Sequence, residues 1–365
     1  MLRRIAKTGI ASALAWTRAD ALIAALTRSG RLAVINYHRV VEDGARSADS
    51  IPGLVVSRRM LEHQLDWIGR RFRFVSLDEL GGRLERGETF PTRVAAITFD
   101  DGYRDFHDHA VPLLKRKGIP AAVFVVTDLV GTSRLQLHDA LYLLLVRWGR
   151  KDGRDLKGLL GTLGLEVPAL TARRNGGWDP AAVQQALLDG LPKAEVERVV
   201  QALEAEVRID ETTIRELQSL TWRMLAELQA SGITVGAHTK THALLTNEDD
   251  DTVREETAGS RHALEQRLGT RVDHFAYPAG RFDPRTVAAV ASAGYRFAYT
   301  ICRHRDRDYP LLTIPRMGLW ETSCLDTMDR FAPAIMSCQL NSVFELLPSC
   351  RADHGRARRA ARVNA

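Results

Sequence analysis

The stretch Ala95–Asp105, AAITFDDGYRD, passes from apolar to acidic without a break. Its first half reads as a buried strand, short, apolar and closed by a glycine turn. Asp100 and Asp101 stand side by side where that strand should end, and Gly102 follows. Adjacent carboxylates repel, so a strand ending on them calls for a positive charge nearby, such as a bound cation.

Working outward, the same strand-then-loop unit recurs. RLAVINYHRV, Arg31–Val40, predicts a strand ending near Tyr37 and His38. SRRMLEHQLDWIGRR predicts a helix through Met60, Leu61, Leu65 and Ile68, with Ser57 as N-cap. FRFVSLDELGGRLERG predicts a short strand and a helix from about Ser76, ended by Gly87. DHAVPLLKRKG predicts a helix closed by Gly118, and PAAVFVVT another strand. After a long helical stretch the alternation resumes with TWRMLAELQASG, ITVGAHT, DTVREETAGSRHALEQRLG, VDHFAYPAG, PRTVAAVASAG, YRFAYTI and LLTIPRMGL. Repeated strand–helix alternation implies an α/β fold, a parallel sheet or barrel with helices outside. In such folds the site lies beyond the C-terminal strand ends. His38, Asp100, Asp101, His238, His242, Tyr277–Arg281 and Arg316 all fall there.

This reading divides the 365 residues as follows. An N-terminal helix covers 1–30, and the α/β core covers 31–130 and 221–320. A helical insertion over the core covers 131–220, a C-terminal helical segment 321–350, and a basic, disordered tail 351–365. The tail, with five Arg against one Asp, carries part of the formal net charge of +6. No nucleic-acid motif accompanies that charge, so nucleic acid is not an expected partner. The four cysteines form no C-x-x-C pair and read as reduced thiols. The N-terminus has basic residues before a short apolar run, but Arg18 and Asp20 interrupt it. It reads as an amphipathic helix, with Ile5, Leu14, Leu22 and Leu26 among its apolar positions, rather than as a signal peptide. The expected location is therefore cytoplasmic, with peripheral membrane contact through this helix or the basic tail, or envelope association, as the alternative.

GAHTKTHALLT places His238 and His242 four apart. Two imidazoles at this spacing reach one metal ion, on a helical turn or a bent loop. Alone the pattern is weak, because eleven histidines produce chance pairs. With TFDDG it gains a third ligand, from either Asp100 or Asp101, and leaves the other carboxylate as a base.

TFDDG and HTKTH, in that order, resemble the first two motifs of the polysaccharide deacetylases of the NodB-homology type, carbohydrate esterase family 4. The resemblance spans most of Arg31–Leu319 apart from the insertion. It implies an incomplete (β/α)7 barrel, with Asp101, His238 and His242 as metal ligands and Asp100 as general base. FAYPAG departs from the family's third motif, since Ala276 and Ala279 stand where Arg and Tyr are usual. It looks more like the branch that deacetylates poly-N-acetylglucosamine, where the general acid comes from an N-terminal strand. By that likeness His38 is the acid, and Arg316 in IPRM is the candidate for orienting Asp100. The backbone N–H of Tyr103 is the oxyanion donor, and Tyr277, Pro278 and Arg281 are substrate contacts.

The implied activity is a hydrolase that removes N-acetyl groups from an N-acetylhexosamine in a polysaccharide, oligosaccharide or glycolipid. The implied cofactor is a divalent ion, Zn2+ first, with Co2+ or Ni2+ as alternatives. An O-acetyl esterase and a non-catalytic glycan-binding protein are the competing expectations. His107, His109, His138 and Asp139 read as surface, capping or incidental groups. Trp148, Trp178 and Trp222 read as core more readily than as sugar platforms.

Overall fold

The apolar runs of the sequence become parallel strands with helices packed outside them. The structure, a computed structural model, describes residues 2–17, 32–44, 50–151, 155–171, 178–302, 304–341 and 343. In chain order the strands are β1 (Leu32–Tyr37), β2 (Arg39–Val41), β3 (Val55–Ser57), β4 (Arg73–Phe74), β5 (Val94–Phe99) and β6 (Ala121–Val125). They continue with β7 (Thr234–Ala237), β8 (His274–Ala276), β9 (Phe297–Thr300), β10 (Ile314–Pro315) and β11 (Met317–Gly318).

The main sheet runs β10-β9-β8-β7-β6-β5-β1-β11, with β4 added to β5. Every pairing in it is parallel. β10 and β11 lie at opposite edges of this order, yet only Arg316 separates them in the chain. The segment Ile314–Gly318 therefore touches both edges and closes the sheet into a barrel. Counted as one interrupted strand, it completes a ring of seven, which agrees with the (β/α)7 expectation.

Strand β5 shows why the residues are so uniformly apolar. Ala95, Ile97 and Phe99 pack with the surrounding helices, while Val94 and Ala96 pack with Phe124, Tyr299 and Ile314 of other strands. Side chains alternate across a strand, so a strand covered on both faces must be largely apolar. Each fully buried aliphatic side chain contributes about 1.5–3 kcal/mol.

The helices start where the sequence supplies caps. Ser57 Oγ accepts from Met60 N–H at 3.1 Å before the helix Arg58–Gly69. Asp283 forms a capping box with Thr286 before Pro284–Ser292. The segment read as one long helix after Asp249 is interrupted by a π-type turn at Glu255–Gly259. Between β6 and β7, helices from Leu137 to Glu216 build a separate apolar cluster around Leu144, Leu187, Val199 and Leu203.

The ends are described only in part. The N-terminal helix is Leu2–Trp16, and Leu22 and Leu26 lie outside the described residues. It packs on the helix Pro333–Leu340, with Ala11 against Ile335 and Cys338. The basic tail 351–365 also lies outside the described residues. Among the described residues no helix is long and apolar enough to cross a membrane.

Candidate metal centre and active site

Register places the site. Tyr37 pairs with Phe99, so His38 and Asp100 leave β1 and β5 side by side. Val125 pairs with Ala237, and the next residue, His238, donates its backbone N–H to the Val125 carbonyl at 2.9 Å.

After Phe99 the backbone turns sharply. Asp101 and Gly102 both adopt left-handed conformations, at φ 70° and 69°. A side chain at Gly102 would also meet Val125 Cγ1 at 2.8 Å, so only glycine fits there. The turn sends the two carboxylates to different partners. Arg316 Nη1 donates to Asp100 Oδ1 and Nη2 to Asp100 Oδ2, both at 2.7 Å. Asn36 Nδ2 donates to Asp100 Oδ2 at 3.0 Å. Burial pushes the Asp100 carboxyl up, but Arg316, His238 and His38 outweigh it and hold Asp100 below the usual carboxylate value. Asp100 is thus an ionised carboxylate in a fixed orientation.

Asp101 turns to the imidazoles. Its Oδ1 lies 3.4 Å from His238 Nε2 and 3.3 Å from His242 Nε2. The three ligand atoms lie within 4.8 Å of one another. His238 Nδ1 bonds the Ala276 carbonyl at 2.8 Å, which requires the proton on Nδ1. The Nε2 lone pair is then aimed at a carboxylate oxygen that is itself buried without a hydrogen bond. Lone pairs converging on one another in a buried site are costly unless a cation lies between them. Asp101, His238 and His242 therefore fit a divalent metal, with the oxygen and nitrogen ligands that suit zinc and its neighbours.

The HTKTH segment is a bent loop, not a helical turn. Thr239 and His242 are left-handed at φ 65° and 62°. The loop wraps around the buried carboxylate of Glu256, whose Oε2 accepts from Lys240 and Thr241 N–H at 2.8 and 2.9 Å. Thr239 Oγ1 accepts from His242 N–H at 2.9 Å and completes the turn.

His38 is half-buried and lines the same cavity. Burial lowers its pKa, against the opposing pull of Asp101 and Asp100. The backbone of Tyr103 forms an isolated antiparallel bridge with Ser219. The bonds belong to the residues on either side, Arg104 N–H to Gln218 O and Leu220 N–H to Gly102 O, both 2.8 Å. That pattern turns the amide of Tyr103 away from the Ser219 strand.

Some expected contacts are elsewhere. Tyr277, Pro278 and Arg281, expected as substrate contacts, are not among the residues that line the cavity, although Ala279 and Gly280 between them are. Tyr277 is fully buried between Phe275 and Phe282, and Pro278 is buried. Arg281 pairs with Asp189 at 2.6 Å and ties the barrel to the inserted helices. The three tryptophans also lie off the cavity: Trp148 packs on Trp178, and Trp222 packs on the core.

Conversely, three groups that the motifs do not mark belong to the site. His138 is buried, with its ring 4.6 Å from that of His242 and its Nε2 3.8 Å from Asp101 Oδ2. The Tyr103 hydroxyl donates to Asp139 Oδ2 at 2.7 Å and contacts His138 Nε2 at 3.0 Å. Gln136 Nε2 donates to the Asp101 backbone carbonyl at 2.9 Å. The signal available in sequence was Gln136, His138 and Asp139 at the start of the helix Leu137–Trp148, ahead of the apolar run Ala140–Val146. Glu256 left no sequence signal. Of these groups His138 lines, with His38, Asp100, Asp101, His238 and His242, a cavity of about 170 Å³.

Comparison with known proteins agrees with this geometry. The family described as polysaccharide deacetylase matches residues 87–149 and 176–298. The poly-beta-1,6-N-acetyl-D-glucosamine N-deacetylase of Staphylococcus aureus is 32% identical over 116 residues, 29% of this chain and 40% of that protein. The Staphylococcus epidermidis protein of the same name is 30% identical over 108 residues, 27% of this chain and 37% of its own length. The chain thus spans about 40% of the length of these curated relatives. In fold it is similar to the Streptococcus pyogenes deacetylase PplD, solved in complex with acetate, at TM-score 0.53 and 17% identity. It is also similar to IcaB from Ammonifex degensii, at TM-score 0.51 and 19% identity. Both alignments cover 85% of this chain and 97% of the other. With more than half of its length matched by that family and its barrel shared with solved members, the chain belongs to the polysaccharide deacetylase family.

Proposed function

We propose that this protein is a metal-dependent hydrolase that removes the acetyl group from an N-acetylated amino sugar, releasing acetate and a free amine. The observation that carries the proposal is the division of labour between adjacent carboxylates. Asp100 is locked by Arg316 as a base, and Asp101 joins two imidazoles to form a metal site, both on one cavity.

Asp101, His238 and His242 would hold the ion, Zn2+ being the first choice for two imidazoles and one carboxylate. When bound it supplies Lewis-acid polarisation of the acetyl carbonyl and lowers the pKa of water from about 15.7 towards 7. Asp100 takes the proton of the attacking water, and its bidentate pairing keeps the accepting oxygens aimed while it does so. The amide of Tyr103, turned away from the Ser219 strand, donates to the developing oxyanion. Such a donor is worth about 3–4 kcal/mol of barrier. His38, just past the end of β1 and lining the same cavity, protonates the leaving nitrogen. Burial makes its imidazolium a stronger acid than usual, which favours that transfer.

We also infer peripheral contact with a membrane surface. Ala11 of the N-terminal helix packs inward, while Ile10 and Trp16 are 54% and 88% exposed. Co-sedimentation with anionic vesicles that Trp16→Ala abolishes would support it; unchanged sedimentation would overturn it.

Acetate release from N-acetylglucosamine oligomers by chelator-treated protein, with and without added Zn2+, tests the activity. Metal-dependent release lost in Asp100→Asn is the expected result. Release of acetate only from O-acetylated sugars would overturn the amide reading in favour of an esterase.

A further inference from the structure

The wall of the cavity beyond the metal site is unlike that of a groove for a long sugar chain. Ile51, Leu54 and Ile301 come from the barrel loops, and Leu188, Leu191 and Val196 from the inserted helices. Among the described lining residues the only rings are the imidazoles at the centre. The aromatic side chains on which pyranose rings usually stack are missing from it.

Away from His138, the polar side chains of the inserted wall each have a partner in the protein. Gln184 Nε2 donates to the His138 carbonyl at 2.7 Å and Gln185 Nε2 to Asp189 Oδ1 at 2.6 Å. Lys193 Nζ donates to Glu197 Oε1 at 2.6 Å. Each further sugar of a polysaccharide brings several hydroxyls that need partners on entering a pocket. Here each of these side chains already gives one bond to the protein, and the rest of the inserted wall beyond His138, including Leu188, Leu191 and Val196, is aliphatic.

The apolar wall also continues outwards. Ile301 is 49% exposed and still lines the cavity, so the apolar surface reaches solvent. Its place depends on Gly280, where a Cβ would sit 2.2 Å from Ile301 Cγ1. The backbone there is left-handed, at φ 63°, which also favours glycine.

We propose that the substrate is an N-acetylated amino sugar whose glycosidic end carries an aliphatic chain, and that this wall holds the chain. The inference rests on the deacetylase reading above and narrows it from glycans in general to lipid-linked sugars. The metal centre takes the acetamido group, the groups around it serve one sugar ring, and the chain leaves past Leu188 and Ile301.

The test compares acetate release by the full-length, zinc-loaded protein from octyl and methyl glycosides of N-acetylglucosamine, below micellar concentration, and from its pentamer. Burying even two methylenes is worth about tenfold, so kcat/KM for the octyl glycoside is expected to exceed that for the methyl glycoside by at least about tenfold. It is also expected to exceed that for the pentamer. Leu188→Gln and Ile301→Gln should each shrink the octyl-to-methyl ratio severalfold; Ile301 is exposed enough that the fold tolerates the change. A wild-type ratio near one, or a faster pentamer, overturns the proposal. So does faster cleavage of N-octanoylglucosamine than of the octyl glycoside, which would put the chain on the acyl side. If no substrate releases acetate, calorimetry with Asp100→Asn separates the two readings. Octyl glycoside binding about tenfold tighter than methyl would sustain the apolar site while the deacetylase reading falls, and equal binding would sink the site.

Discussion

Arg316 reaches Asp100 from the one segment that pairs with both edges of the sheet. Closure of the barrel and orientation of the Asp100 carboxylate are therefore the same event. Ile314 and Pro315 pair with β9, Met317 and Gly318 pair with β1, and the guanidinium between them meets both Asp100 oxygens at 2.7 Å. Arg316 Nη1 also reaches Asn36 Oδ1 and Thr98 Oγ1 at 3.2 Å, which fixes its plane.

Arg316→Met should cost stability as well as turnover. It leaves a buried carboxylate without its cation, a loss of roughly 3–5 kcal/mol in comparable sites. Urea denaturation of the metal-free protein measures this. Arg316→Lys keeps the charge but not the fork, so kcat should fall more than stability does.

Asp101→Ala and His238→Ala should abolish metal binding and activity together, whereas Asp100→Asn should keep the metal and lose about 10²–10⁴-fold in turnover. Metal content by mass spectrometry alongside acetate release separates these. Normal turnover in Asp100→Asn would show the base to be another group.

Gln136→Met should weaken metal binding by about 10–100-fold, the usual effect of removing a group that orients a ligand. It deletes the bond to the carbonyl of Asp101, a residue held in a left-handed conformation. Chelator competition with Co2+ reads the affinity directly, and an unchanged affinity would mean that the turn needs no such support.

Asp139 should make stability depend on pH. Burial, helped by Asp101 and Asp105, raises its carboxyl to about 7, although Tyr103 and Arg39 oppose the shift. A group whose pKa is raised in the folded state gives its full stabilisation below the unfolded value and loses it as pH rises through the folded value. Wild-type Tm should therefore fall relative to Asp139→Asn between about pH 4 and 7. Parallel Tm curves across that window would place the Asp139 proton elsewhere.

His38→Ala should slow amide substrates more than activated acetate esters. A good leaving group needs little protonation, so its loss tolerates a missing acid. Equal slowing of both would remove His38 from that role.

Much of the barrel was legible in the sequence because its signals are local. A strand covered on both faces must be largely apolar, and β5 and β6 read so without any knowledge of their partners, Thr98 near the site end of β5 being the exception. Ser57 reads as a cap from its own helix. The grouping of His38, Asp100, Asp101, His238 and His242 followed from one topological rule, that parallel strands present their C-terminal ends to one side.

What stayed hidden depends on contacts between distant residues or on which way a side chain turns. Tyr277 sits at a strand end like Asp100, but its ring goes into the core beside Phe275. His138 and Gln136 belong to helices whose spacing says only that one face is apolar, and nothing local says that this layer lies over Asp101.

By itself the sequence determined the alternation of elements, the apolar faces and the chemical types available at the strand ends, because those depend on residues close together in the chain. Residue types and spacing left open which carboxylate meets Arg316 and which meets the imidazoles; the family resemblance implied an answer, and tertiary structure supplies its physical cause. That choice is made by the left-handed turn at Asp101 and Gly102 and by closure of the barrel at Arg316, where residues more than two hundred positions apart come into contact.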